Sequence, residues 1–142
     1  ALIVGEHGDS ELPVFSQASI GVEDLEHLLA RRNNPSDKEN LNRIFNEARN
    51  AAYEIISRKG VTNFGIGMCL ARITKAILDN EYSILPVSCL LNGEYGQEDI
   101  YMSVPAIVTR DGIKEVIELK LNEEERALFA NSADVLRKTR VE

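Results

Sequence analysis

His7 lies near the start of the chain in the run Gly5-Glu6-His7-Gly8-Asp9-Ser10-Glu11. The apolar stretch Ala1-Leu2-Ile3-Val4 leads into it and Leu12-Pro13-Val14 leads out. Apolar residues ending in glycine predict a buried strand that stops in a tight turn. The histidine is then carried on a loop at a strand end, where Gly5 and Gly8 permit positive φ and close backbone approach. Imidazole has the side-chain pKa nearest neutrality, so it suits proton transfer in either direction. On the residues alone, the alternative is a turn with an incidental histidine. Ser10 is the only hydroxyl in the loop, and no base stands at a recognisable spacing to make it a nucleophile.

The rest of the chain must position that loop. Phe15–Ile20 predicts a short strand, and Val22, Leu25, Leu28 and Leu29 give a helical spacing over Val22–Arg32, with His27 on the solvated side. Ser36-Asp37-Lys38-Glu39 has capping-box spacing, and Leu41, Ile44, Phe45, Ala48, Ala52, Ile55 and Ile56 then form one apolar face. Arg58 and Lys59 suit the carbonyl end, and Gly60 suits a left-handed stop. A helix over Asp37–Lys59 follows. A second is predicted over Phe64–Asp79, capped by Thr62 or Asn63, with Ile66, Leu70, Ile73 and Ile77 on its inner face. Gly65 and Gly67 weaken its first turn by roughly 1 kcal/mol each. Either something approaches that backbone closely or another helix packs there.

From Tyr82 the pattern becomes β. Ile84–Leu91 reads as a strand whose Pro86 favours an edge or bulge. Asn92-Gly93 and Tyr95-Gly96 mark a turn before Ile100–Thr109, and Asp111-Gly112 marks a hairpin to Ile113–Leu121. Asn122 and Glu125 have the spacing to start a last helix, with Leu128, Phe129, Val135 and Leu136 apolar. Helices grouped with antiparallel strands make the expected class α+β, with no internal repeat.

The 142 residues suit one domain with a real core. Sixteen basic against 23 acidic side chains give a net charge of −7, which argues against a nucleic-acid partner. Apolar runs fall short of the ~20 residues that span a membrane, and no basic-then-apolar leader is evident. Cys69 and Cys89 sit in apolar stretches and read as buried reduced thiols, making the cytoplasm the expected compartment.

The phrase Gly-Glu-His-Gly-Asp-Ser-Glu-Leu-Pro-Val closely resembles the active-site signature of bacterial L-lactate dehydrogenases, with malate dehydrogenases as cousins in the same family. The resemblance continues through Ala51-Ala52-Tyr53-Glu54-Ile55-Ile56, Lys59-Gly60-Val61-Thr62-Asn63-Phe64 and Asn92-Gly93-Glu94-Tyr95-Gly96 to the end of the chain. It implies a C-terminal substrate domain over residues 1–142, with the N-terminal NAD-binding Rossmann domain absent. The initial Ala is consistent with a piece of a longer chain.

The resemblance implies hydride transfer between NADH and a 2-oxo acid, pyruvate to L-lactate, in a homo-oligomer, since family members are tetramers. His7 matches the catalytic histidine, Thr62 the threonine lining the substrate pocket, and Ile66 an apolar side chain packed against the nicotinamide. No metal is implied. In the family, the aspartate that orients the histidine and the arginine that grips the substrate carboxylate come from the other half, so Asp9 is expected to brace its loop. Threonine at position 62 suits a small 2-oxo acid. The loop that separates lactate from malate enzymes lies upstream, which leaves malate dehydrogenase as the alternative. A non-catalytic association module and, further off, a His/Asp hydrolase are the readings from other classes.

Overall fold

A computed structural model describes residues 1–34 and 37–139. Two short ribbons open the chain: β1 (Leu2–Val4) pairs antiparallel with β2 (Leu12–Val14), and β3 (Ser19–Ile20) pairs with β4 (Glu23–Asp24). Three helices and a sheet follow. They are α1 (Leu25–Arg32), α2 (Asp37–Lys59) and α3 (Phe64–Leu78), then β5 (Ser83–Asn92), β6 (Glu98–Thr109) and β7 (Gly112–Val116) in antiparallel order β5-β6-β7. The last helix, α4, spans Glu123–Thr139. The class is α+β, as expected.

The core forms where β1, β2, β5, β6 and α4 meet. Val4, Leu12, Val14, Cys89, Leu91, Met102, Val104, Phe129 and Ala133 are buried there together. Gly5 is bridged to Ser103 of β6 in both directions, each N–H···O distance being 2.9 Å. The strand that delivers the His7 loop is therefore joined to the central strand of the main sheet. Alternation along β6 puts Ile100, Met102, Val104, Ala106 and Val108 inside. Pro86 lies on β5, an edge strand, where a missing N–H is tolerated.

Local capping explains the placement of α4. Asn122 Oδ1 accepts the Glu125 N–H at 2.8 Å, and Glu125 Oε2 accepts the Asn122 N–H at 3.0 Å. This is the reciprocal capping box the spacing predicts. Glu125 is also buried and accepts the Ser16 N–H at 3.0 Å, so the same carboxylate ties the helix start to the chain leaving β2. The box proposed at Ser36 lies outside the described residues. Gly60 ends α2 at φ +80°, in the left-handed region, with its N–H on Ile56 O at 2.7 Å.

Several expectations need correction. Of the first strand only Val4 is fully buried, because β1 belongs to a two-stranded ribbon. Within Phe15–Ile20 only Ser19–Ile20 is a strand, and its partner β4 takes residues assigned by spacing to the following helix. The strand after the hairpin stops at Val116 rather than Leu121. Ile117 N–H still reaches Pro105 O at 2.8 Å, and the Tyr95 hydroxyl then donates to Ile117 O and accepts the Leu119 N–H. Inward and outward residues keep alternating after the ladder ends. Asn63 occupies the N-cap position of α3, but its side chain accepts from Lys59 Nζ at 3.1 Å instead of capping. Cys69 is exposed, since none of the described residues covers the α3 face that carries it. Ile66 and Leu70, expected inside, are exposed for the same reason, as are Ile44, Ile55 and Ile56 of α2. A 3.6-residue apolar repeat marks a face but does not say what covers it.

Candidate functional site

The loop between β1 and β2 is held at both of its feet. At the first, Gly5 has φ +102°, and a Cβ built there would stand 2.7 Å from Ser132 Oγ of α4 and 3.2 Å from Leu12 Cδ2. The next residue donates its backbone N–H to the same Ser132 Oγ, with Glu6 N at 2.7 Å. At the second foot, the Ser10 backbone N–H and hydroxyl both donate to Glu6 Oε2, and Ser10 Oγ lies 3.2 Å from Ser132 Oγ. Gly8 does not adopt positive φ. A side chain there would meet the Glu6 carboxylate at 2.8 Å, so glycine leaves room rather than supplying a turn.

The tip between the feet carries His7, whose side chain is 95% exposed. Its Nδ1 lies 3.8 Å from Glu11 Oε2, an ion-pair distance too long for a hydrogen bond. Burial pushes the Glu11 carboxyl up from the usual range, while His7 and Arg49 pull it back down. Asp9 is not the partner of His7. Its carboxylate accepts the Tyr53 hydroxyl at 3.1 Å, and its carbonyl accepts from Arg49 Nη1 at 3.3 Å. Donation to Asp9 pushes the Tyr53 phenol up, because ionisation would forfeit that bond. Asp9 thus braces the loop against α2, the role expected of it. Ser10 gives its hydroxyl proton to Glu6, so it is not poised against His7 as a nucleophile.

Thr62, half-buried, sits in the link from α2 to α3. Lys59 spans that link, with Nζ bonded to Asn63 Oδ1 and 4.4 Å from the centroid of the Phe64 ring. Ile66, in the first turn of α3, is 55% exposed. Among the described residues nothing lies within 4 Å of a Cβ placed at Gly65 or Gly67, so no other element of the described structure closes on these two positions. The structure connects the His7 loop to this region through α2, by way of Arg49 and Tyr53. Among the described residues no hydrogen bond or ion pair joins His7 directly to Thr62 or Ile66.

An exposed imidazole on a braced loop can exchange a proton with a bound molecule. An open apolar turn at Ile66 can take a flat ring. Residues 1–141 match the family described as lactate/malate dehydrogenase, alpha/beta C-terminal domain. The chain belongs to the lactate/malate dehydrogenase family. An L-lactate dehydrogenase 2 of Bacillus cereus is 57% identical over 139 residues, covering 98% of this chain and 44% of that protein. The chain therefore spans less than half the length of such family members. Among solved structures, a minor L-lactate dehydrogenase from Enterococcus mundtii in a ligands-bound form superposes with a TM-score of 0.90 at 43% identity. That match covers 99% of this chain and 46% of the other. A malate dehydrogenase from Aeropyrum pernix gives 0.86 at 33% identity, over 96% of this chain and 44% of that one.

Sequence reasoning expects functional roles for His7, Thr62 and Ile66 on the family resemblance. It missed Ser132, Glu11, Arg49 and Tyr53 as the side chains around the loop. Glu11 is found at i+4 from His7, but Ser132 is 126 positions from Glu6 and carries no sequence signal.

Proposed function

We propose that this chain is the substrate and proton-transfer half of an NAD-dependent L-lactate dehydrogenase that reduces pyruvate to L-lactate. The observation that carries the reading is the exposed His7, held on a loop bonded at both feet, within the Gly-Glu-His-Gly-Asp stretch of a chain more than half identical to a protein named L-lactate dehydrogenase. His7 gives a proton to the carbonyl oxygen as alkoxide develops in reduction, and takes the hydroxyl proton in oxidation. Thr62 lines the pocket of a small 2-oxo acid. Ile66 shields the reacting face from water. NADH supplies the hydride when bound.

The fit to that cofactor is favourable: an apolar side chain between two glycines, with space above the backbone, suits an aromatic ring. The domain that binds the rest of the dinucleotide and supplies the aspartate and arginine partners belongs, on this reading, to an N-terminal half of the full-length protein. The assembly is a homotetramer in the cytoplasm, with the apolar faces of α2 and α3 covered by other domains or subunits.

Replacing His7 by Gln in the full-length protein tests the reading. Turnover of pyruvate is expected to fall by roughly 10²- to 10⁴-fold, the share of a positioned acid–base group. NADH binding is expected to stay nearly constant, because the cofactor rests mainly on the other domain. Turnover within a few-fold of the parent would remove His7 from the chemistry. Comparison of kcat/KM for pyruvate and oxaloacetate tests the substrate, and a preference for oxaloacetate would favour the malate enzyme.

A further inference from the structure

Ser132 is fully buried in α4, far in sequence from the His7 loop, yet its hydroxyl lies between the two feet of that loop. The direction of each hydrogen bond follows from the donors available. Ser132 Oγ accepts the Glu6 backbone N–H, and Ser10 gives its one hydroxyl proton to the Glu6 carboxylate. The remaining contact, Oγ to Oγ at 3.2 Å, must then run from Ser132 to Ser10, because Ser10 has no second hydroxyl proton to give. The network is a ring: Glu6 N–H to Ser132, Ser132 to Ser10, and Ser10 back to the Glu6 side chain. It closes the chain at positions 6 and 10 and leaves His7-Gly8-Asp9 as the arc between. Gly5 allows the approach, since a Cβ there would meet both Oγ and Cβ of Ser132.

We infer that Ser132 is a positioning residue for proton transfer: by closing this ring it sets the place of the His7 imidazole relative to the substrate. The inference rests on the reading of His7 as the acid–base group. Ser132 touches neither substrate nor cofactor on this account and acts through Glu6 and Ser10. Removing its hydroxyl leaves the Glu6 N–H without its acceptor and frees Ser10 from α4. Asp9 still holds the loop to α2 through Tyr53 and Arg49, so the loop is displaced or loosened and not lost.

The experiment compares Ser132→Ala, Ser10→Ala and the double variant in the full-length protein, with His7→Gln alongside. Steady-state kcat, KM for NADH and KM for pyruvate are measured for each. Ser132→Ala and Ser10→Ala are each expected to lower kcat by about 10-fold, within the range an ångström-scale misplacement produces, with KM for NADH unchanged. The double variant is expected to lose little more than the worse single one, because both break the same ring. A variant that loses thermal stability but keeps the parental kcat would show that Ser132 serves packing alone, and would overturn the inference. So would a double variant whose losses multiply. Should Ser132→Ala not fold, Ser10→Ala decides alone: a lowered kcat at constant NADH KM supports the ring, and a parental kcat overturns it. His7→Gln separates the two levels. If it keeps activity, the acid–base reading fails. If it is inactive while Ser132→Ala and Ser10→Ala match the parent, only the positioning role fails.

Discussion

Gly5→Ala is expected to be among the most damaging single-methyl additions to this chain, and the cost divides into two parts. At φ +102° an alanine occupies a backbone region that L side chains rarely enter, at about 1–2 kcal/mol. Its methyl would also stand 2.7 Å from Ser132 Oγ and 3.2 Å from Leu12 Cδ2, both on fully buried residues. Overpacking of a tight site adds about 1–3 kcal/mol. The sum, about 3 kcal/mol, is a large share of the stability of a domain. Gly60→Ala provides the control: its φ is +80°, but nothing lies within 4 Å of the added Cβ. It is expected to cost about 1 kcal/mol, from backbone strain alone. Equilibrium urea unfolding of the chain, at one protein concentration low enough to keep it monomeric, measures both. With a slope of about 2 kcal/mol/M, Gly5→Ala lowers the midpoint by about 1.5 M and Gly60→Ala by about 0.5 M. Equal shifts for the two would refute the close packing of Gly5 against α4, and with it the physical reason for glycine at the foot of the His7 loop.

If Thr62 lines the substrate pocket as proposed, Thr62→Ile in the full-length protein is expected to raise KM for pyruvate several-fold more than KM for NADH, because a larger side chain would crowd that pocket; equal effects would indicate a folding role. Glu81 accepts from Ser83, Lys75 and Arg72, and these bonds hold its carboxyl at about 2 against an ordinary 4.5. A depressed carboxyl contributes stability above its unfolded value and loses it as pH falls through the folded one. Thermal unfolding of Glu81→Gln is therefore expected to depend less steeply on pH between about 4.5 and 2 than that of the parent, and identical profiles would discount the cluster. The 142 residues alone are expected to self-associate through exposed apolar side chains such as Phe64 (78% exposed) and Ile66, and to show neither NADH affinity nor pyruvate reduction. Sedimentation, calorimetric titration and an absorbance assay check this, and micromolar NADH affinity would show a more self-contained site.

Much of the fold follows from short-range chemistry, and that part was legible in the residues. The apolar repeat of Leu41–Ile56 with Gly60 beyond it specifies α2, Asn122 and Glu125 box the start of α4, and Asp111-Gly112 closes the β6–β7 hairpin. Each signal lies within a few residues of what it determines. The His7 motif was legible because its neighbours in sequence form the loop itself. Tertiary structure alone decided what holds that loop and what covers the helices. Serines and tyrosines are common, so nothing in their order announces that Ser132 meets Glu6 across 126 positions or that Tyr53 meets Asp9 across 44. Periodicity likewise marks Ile66, Leu70 and Cys69 as part of an apolar stretch, but burial needs a second surface, and the described residues leave these three side chains exposed.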